Sequence, residues 1–336
     1  MKKIFKKIYA LKTCNELESY NLFKKIIKNK ISVIKLTSIL TILKIRLESI
    51  NEIIGAIKCL QENSINFPKP KYLFADIAGT GGDHVNIINV STLSALVVSS
   101  LGLKIIKHCN SGVSSQLGSA DILKKNNINI KINPKESKKQ LDKLNICFLY
   151  APQYHFGFKY VTKIRKELKT RTIFNILGPL LNPSRPNYSV IGVYSPHLLL
   201  PLAKIVHQLN YERVILLHSH GIDEITLNYK TKIVEVKNGK IISYNLYPED
   251  FGINRVKNFL FKKKTIQENY LDFKNICKGR GPIEYKYLIA MNAAILLKIF
   301  GYENLKLNTK ICFEKIESGE INQHIKNISK EKNYDN

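Results

Sequence analysis

The segment Asp76-Ile77-Ala78-Gly79-Thr80-Gly81-Gly82-Asp83 concentrates residues able to hold a phosphate. Its glycines remove the side chains that would keep a phosphate from backbone N–H groups. Asn89, Ser91 and Thr92 add short polar groups where a helix is expected to begin, and Lys107 adds a positive charge further on. A dinucleotide fingerprint fails here, because its last glycine is His84. A P-loop fails as well, because Asp83 and His84 stand where Lys and Ser or Thr are needed. An acidic residue beside a phosphate loop suits sugar hydroxyls or a bridging metal.

Three further clusters follow. Lys107-His108-Cys109-Asn110-Ser111-Gly112 and then Ser114, Ser115 and Gly118-Ser119-Ala120-Asp121 offer hydroxyls and a helix start, which bind phosphate or simply cap a helix. Ala151-Pro152-Gln153-Tyr154-His155 is followed by Arg165, Arg171, Phe174 and Asn175, and an arginine can grip a carboxylate with two hydrogen bonds. Gly178-Pro179-Leu180-Leu181-Asn182-Pro183 reads as a fixed turn or cover, neither helix nor strand. Asp223 and Glu224 form an acidic pair in a very basic chain. Such a pair can hold Mg²⁺ together with waters and ligand oxygens, or favour a helix start. His218 and His220 lie two apart with no third ligand at zinc spacing.

These clusters need a scaffold. Residues 1–68 read as short helices, with Leu22, Phe23, Ile26 and Ile27, then Leu36, Ile39, Leu40 and Leu43, then Ile53, Ile54, Ile57 and Leu60 on apolar faces. Strands are expected at 72–77, 103–107, 147–150, 188–193 and 213–218. Helices are expected at 93–101, 114–124, 196–209 and 282–300. Asn238-Gly239 marks a hairpin between 231–236 and 241–244. The last fifteen residues are expected to fray. The fold class is therefore α/β: a small all-helical N-terminal domain packed against a larger α/β domain with a mostly parallel central sheet. The boundaries are 1–70 for the helical domain, joined by helices near 160–185, and 71–336 for the α/β domain.

Taken in order, the clusters resemble the anthranilate phosphoribosyltransferase family, the tryptophan-pathway branch of the nucleoside phosphorylase/phosphoribosyltransferase class. The matching stretches include GTGGD at 79–83, N-x-S-T at 89–92, KH-x-N at 107–110, GSAD at 118–121, KTRTIFNILGPLLNP at 169–183 and DE at 223–224. The resemblance implies transfer of the phosphoribosyl group from phosphoribosyl pyrophosphate to the amine of anthranilate. It implies that Gly79, Gly82, Asp83, Asn89, Ser91, Thr92, Lys107 and Ser119 hold the donor, and that His108, Asn110, Tyr154, His155, Arg165 and Gly178 line the anthranilate path. Ser91, Asp223 and Glu224 would bind Mg²⁺. No single acid or base is implied; Lys107, Asn110 and Arg165 would act by placement and charge stabilisation. A homodimer through the helical domain is implied too. The chain departs from the family pattern at Cys109, Ser111 and Ser219, where glycine, arginine and glycine are usual.

Composition bounds these readings. The 336 residues carry 53 Lys and Arg against 26 Asp and Glu, a net charge of +27. The excess is spread over the whole length, as in Lys124-Lys125-Asn126-Asn127, which points to compositional bias rather than a nucleic-acid stripe. Six cysteines without C-x-x-C spacing fit reduced thiols, and the basic start is too short and polar for a signal peptide, so a cytoplasmic location without membrane attachment is the expectation. Two alternatives remain: a catalytically silent nucleic-acid-binding relative, supported by the charge, and a pyrimidine-nucleoside phosphorylase, which GTGGD and the 169–183 segment argue against.

Overall fold

The computed structural model describes residues 1–81, 88–112, 118–256 and 264–331. Four helices open the chain: α1 (Lys2–Tyr9), α2 (Glu16–Ile27), α3 (Val33–Arg46) and α4 (Ile50–Glu62). Then come β1 (Ala75–Gly79), α5 (Val90–Ser100), β2 (Ile105–Cys109), α6 (Ser119–Lys125), α7 (Pro134–Leu144) and β3 (Ile146–Tyr150). Three short helices follow, α8 (Ala151–Tyr154), α9 (Phe158–Leu168) and α10 (Ile173–Leu177). The sheet resumes with β4 (Tyr188–Gly192), α11 (Leu199–Gln208), β5 (Arg213–His218), β6 (Thr231–Lys237) and β7 (Lys240–Leu246). Helices α12 (Ile266–Cys277), α13 (Ile283–Ile299), α14 (Leu305–Glu317) and α15 (Glu320–Lys330) end it.

The seven strands lie in the order β3-β2-β1-β4-β5-β6-β7. The first five run parallel, and β6 and β7 complete the sheet antiparallel. Both faces are covered, so successive residues of one strand enter different cores. Ile215 and Leu217 of β5 pack with α5 and α13. Val214 and Leu216 pack with α11 and the N-terminal helices. The β6–β7 turn places Asn238 and Gly239 in left-handed backbone, as a two-residue hairpin turn requires.

Val161 and Ile164 of α9 and Ile173, Phe174, Ile176 and Leu177 of α10 join Leu22, Phe23, Ile26 and Leu40 in one apolar cluster. That cluster continues without a break onto the sheet through Ile191, Leu202 and Leu216. Helices α9 and α10 are thus tied to α1–α4 by burial, though they follow them by about a hundred residues.

Two expectations are corrected. The C-terminal segment is helix to Lys330: Ile321, Ile325 and Ile328 recur at helical spacing and are buried, which outweighs the polarity of the rest. Residues 178–180 are a fixed turn, as read from the sequence, but one wound as 3₁₀ helix rather than neither helix nor strand. Among the described residues no helix is long and apolar enough to cross a membrane.

Candidate active site

In the sheet order 3-2-1-4-5 the chain leaves β1 and β4 toward opposite sides, which opens a crevice beyond their carboxyl ends. Gly79 ends β1, Gly192 ends β4, and the two are register partners. The segment after β5 lies across them. A Cβ on Gly192 would fall 1.7 Å from the carbonyl oxygen of Asp223, and one on Gly79 would fall 2.3 Å from its Oδ2. Glycine is required at Gly192, where the obstacle is backbone, while at Gly79 the obstacle is the end of the Asp223 side chain; no backbone strain is involved at either. The Gly81 N–H donates to Asp223 Oδ2 at 2.7 Å, closing the contact across 142 positions of sequence. Burial pushes the Asp223 carboxyl up, while the Gly81 N–H, Arg171 and His218 pull it back.

The crevice continues into a cleft of about 300 Å³ that also receives Asn89, Ser91, Lys107, His108, Asn110, Ser119 and Glu224. Lys107, nearly all buried, donates from Nζ to the Ile77 carbonyl (2.6 Å) and to Ser91 Oγ (3.3 Å). Burial lowers its pKa, and Asp76, Cys109 and Glu224 oppose that shift. Asp121 accepts from both Gly112 N (2.9 Å) and Gly118 N (3.0 Å), so one carboxylate ties together the flanks of the 113–117 segment. Ser119 Oγ lies 3.4 Å from both the N and O of Asn110.

The facing side is built by the short helices and is largely apolar. Ala151, Phe158, Phe174, Asn175, Gly178, Pro179 and Arg165 line it. The Arg165 guanidinium sits over the Phe174 ring at 5.7 Å and donates to Asn175 Oδ1 at 3.3 Å. Burial alone lowers its pKa to about 10, with no acidic neighbour offsetting the shift. Its buried Nε makes no hydrogen bond. A planar carboxylate in the cleft would use those donors. His108 donates from Nδ1 to the Gly178 carbonyl at 3.3 Å. Burial, with a smaller push from His155, holds its pKa at about 3, so the ring is neutral and Nε2 is a lone-pair acceptor.

Not every residue expected at the site reaches the cleft. The Tyr154 ring is buried whole in a separate cluster with Phe67, Phe74, Leu141 and Leu149, because a large ring gains more from that burial than from an edge position. It therefore does not line the cleft. His155 stands one layer back: it stacks on Phe158 (5.0 Å), meets His108 edge-on (5.6 Å), and donates from Nε2 to the Leu181 carbonyl at 2.9 Å. Thr92 is buried and donates to Asn89 Oδ1 at 2.9 Å, supporting that residue from behind. Gly82, Asp83, Ser114 and Ser115 lie outside the described residues.

Other residues enter that sequence reasoning did not assign to the site. Thr80 is buried, its Oγ1 accepts from Tyr194 N (3.0 Å), and its carbonyl lies 3.4 Å from Asn175 Nδ2. Phe158, Phe174 and Asn175 carry the facing side, and Asn292 reaches the cleft from α13. The departures from the family pattern are accommodated. Cys109 ends β2 with its side chain buried in the core, Ser111 Oγ meets Tyr150 OH at 3.4 Å, and Ser219 Oγ meets Thr226 Oγ1 at 2.7 Å. His218 is engaged on both nitrogens, at the Val193 carbonyl and at Gly221 N, while His220 stacks on Tyr229. Among the described residues all six cysteines are unpaired and buried, and no group of three or more His, Cys, Asp or Glu is placed to hold a metal.

A glycine-edged polar crevice at the switch point of a parallel sheet, faced by a helical layer, sets the class. Residues 71–321 match the family described as glycosyl transferase family, a/b domain. Anthranilate phosphoribosyltransferase of Buchnera aphidicola subsp. Acyrthosiphon pisum (strain Tuc7) is 54% identical over 329 residues, covering 98% of this chain and 96% of that one. The crystal structure of anthranilate phosphoribosyltransferase from Thermus thermophilus superposes with a TM-score of 0.88 at 29% identity, over 97% of this chain and 98% of that one. The Saccharomyces cerevisiae enzyme, solved in complex with PRPP and Mg, superposes with a TM-score of 0.87 at 27% identity, over 98% and 96%. The chain belongs to the anthranilate phosphoribosyltransferase family.

Proposed function

We propose that the cleft is where phosphoribosyl pyrophosphate (PRPP) and anthranilate meet, with the donor on the sheet side and the acceptor on the helical side. The reaction moves the 5-phosphoribosyl group onto the anthranilate amine. The amine nitrogen forms a bond to the anomeric carbon, the bond from that carbon to pyrophosphate oxygen breaks, and the nitrogen loses a proton to water. The observation that carries this assignment is the meeting of Gly79, Lys107, Asp223 and Glu224 in one cleft with Arg165 opposite.

The roles follow from chemistry. Gly79, Asn89, Ser91, Lys107 and Ser119 face the donor, with Gly82 and Asp83 assigned to the same loop by sequence. Negative charge grows on pyrophosphate as its bond breaks, and Lys107 with backbone N–H groups stabilises it. Arg165 fixes the anthranilate carboxylate, while His108, Phe158, Phe174, Asn110 and Gly178 shape the slot for its ring. Tyr154, His155 and Thr92 support these residues rather than touch substrate. An aromatic amine is already nucleophilic, so placement and exclusion of water do most of the work.

The donor set suits Mg²⁺: two carboxylates and a hydroxyl, all hard oxygens, and too few to hold a metal without substrate oxygens. Asp223, Glu224 and Ser91 would hold it, and when bound it neutralises pyrophosphate charge.

We further assign α1–α4 with α9 and α10 to a helical domain that closes on the rest of residues 71–336, a movement suited to excluding water. The exposed Val33, Ile34, Ile45 and Leu47 of the α3 region are the homodimer surface of this reading. The unpaired thiols suit the cytoplasm. The test is loss of anthranilate fluorescence on mixing purified protein with PRPP and Mg²⁺. Turnover is expected; its absence, with DNA retained by the protein, would favour the nucleic-acid-binding alternative.

A further inference from the structure

We infer that two buried asparagines, one serving each side of the cleft, are positioning residues: Asn292 sets the acidic segment, and Asn182 sets the segment against the acceptor. The inference rests on the metal and acceptor assignments above and names what holds them.

Asn292 lies in the middle of α13, a helix buried almost all round, where an amide must find partners or cost stability. It finds two of them on the backbone of a single residue, Ile225. Its Oδ1 accepts from Ile225 N at 3.0 Å, and its Nδ2 donates to the Ile225 carbonyl at 3.0 Å. The second Nδ2 hydrogen goes to the Leu288 carbonyl at 2.8 Å. Ile225 directly follows Asp223 and Glu224, past the end of β5, where no strand pairing fixes the backbone. The acids are therefore located by Gly79 and Gly192 beneath them and by the Asn292 amide beside them. That amide is fully engaged, so it acts on the site through the backbone it holds.

Asn182 has no exposed surface. Its Nδ2 donates to the Ile106 carbonyl and to Asp76 Oδ2, each at 2.8 Å, and its Oδ1 accepts from Ser184 N (3.0 Å) and Ser184 Oγ (2.7 Å). It closes the 178–181 segment, whose Gly178 and Leu181 carbonyls orient His108 and His155. Asp76 and Lys107 occupy adjacent strands with side chains on opposite faces, and the Asp76 charge still supports Lys107; the link from Asn182 to the acceptor side runs through the 178–181 carbonyls that hold His108 and His155.

The two sites are equally buried, so loss of either amide should destabilise the fold in a similar way. Their effects on ligands should differ, and a merely structural role would not separate them. The full-length protein, Asn292→Ala and Asn182→Ala are compared by thermal melting, by Mn²⁺ binding in the presence of PRPP followed by electron paramagnetic resonance, and by KM for each substrate. Asn292→Ala is expected to weaken Mn²⁺ binding about ten-fold while the anthranilate KM stays within about two-fold. Asn182→Ala is expected to raise the anthranilate KM about ten-fold with Mn²⁺ binding within about two-fold. If Asn182→Ala does not fold, Ser184→Ala, which removes one bond to the same amide, is expected to move the anthranilate KM alone. If Asn292→Ala does not fold, Asn292→Ser is read in its place. Equal effects of the two variants on both ligands would overturn the inference. Asp223→Asn separates the underlying assignment. If it leaves Mn²⁺ binding unchanged, the metal site is wrong. If it weakens binding while Asn292→Ala does not, the metal site stands and the positioning role falls.

Discussion

The two sides of the cleft are made differently. The sheet side, assigned above to the donor, rests on strand ends: two glycines in register, a buried lysine, and an acidic segment whose backbone leaves no room for a Cβ at Gly192. The acceptor side rests on short helices and aromatic rings, with one arginine and two histidines held neutral by burial. A diphosphate carries several charges and needs fixed dipoles and cations close to its oxygens. A planar aromatic acid needs a flat apolar slot and one directional cation. Each side therefore tolerates different damage.

The sharpest break should come at Gly192. An added methyl would meet the Asp223 backbone at 1.7 Å, and backbone cannot rotate out of the way as a side chain does. Gly192→Ala is expected to cut kcat/KM by about 10³ or more, since the acidic segment must leave its seat. Gly79→Ala meets only the Asp223 carboxylate, which can swing, so a smaller loss is expected, expressed in the PRPP KM. Steady-state kinetics of both variants check the order; equal losses would show that the carboxylate is as rigid as the backbone.

On the acceptor side Arg165→Ala should raise the anthranilate KM by about 10²-fold, the worth of a buried charge-assisted pair, and leave the PRPP KM nearly unchanged. Arg165→Lys should recover little, because the ammonium lacks the planar fork. Asn175 sharpens the comparison, since it touches both Arg165 and the Thr80 carbonyl. Asn175→Ala is expected to raise both KM values by about three- to ten-fold. A change confined to one substrate would mean that the two sides are not coupled through it.

The strands were legible because segments buried on both faces read as apolar runs beside turn residues, and all seven stand where Phe74–Ile77, Val190–Val193 and the Asn238-Gly239 hairpin suggest. Helices α7 and α12 were missed although Asn133 with Glu136 and Thr265 with Glu268 form capping boxes; α7 buries Ser137 and Gln140 beside Leu141, and α12 buries Asn269 beside Phe273, so polar residues interrupt the buried faces. Within the site, glycines and charged groups announced themselves. Asn292 carried only weak agreement with the family pattern, at Asn292-Ala293-Ala294, because a single amide in an apolar helix shows no role until its partner, 67 positions away, is known. Tyr154 misled in the opposite sense: its neighbours Ala151 and His155 belong to the cleft and its support, but its own ring turns into another core.

The smallest effect tests whether packing alone keeps the acceptor side neutral. His155 donates from Nε2 to the Leu181 carbonyl, and in the neutral ring that bond leaves Nδ1 without a proton. Burial lowers its pKa from 6.5 to about 4. Above pH 6.5 folded and unfolded chains both hold a neutral ring, and the group does not affect stability. As pH falls from 6.5 toward 4 the unfolded chain binds a proton that the folded chain refuses, so stability is lost. Below about 4 both are protonated and the loss levels off. The whole effect is at most about 3.5 kcal/mol. His155→Gln keeps a donor for Leu181 and cannot titrate, so thermal melts between about pH 4 and 7 should show a shallower acid decline than the parent. The remaining decline belongs in part to His108, whose pKa is held lower still. At about pH 7 the variant's kcat/KM should stay within about three-fold of the parent, because the ring does not line the cleft. An unchanged acid decline would mean that His155 opens to water in the folded enzyme, and the acceptor side would then be as polar as the donor side it faces.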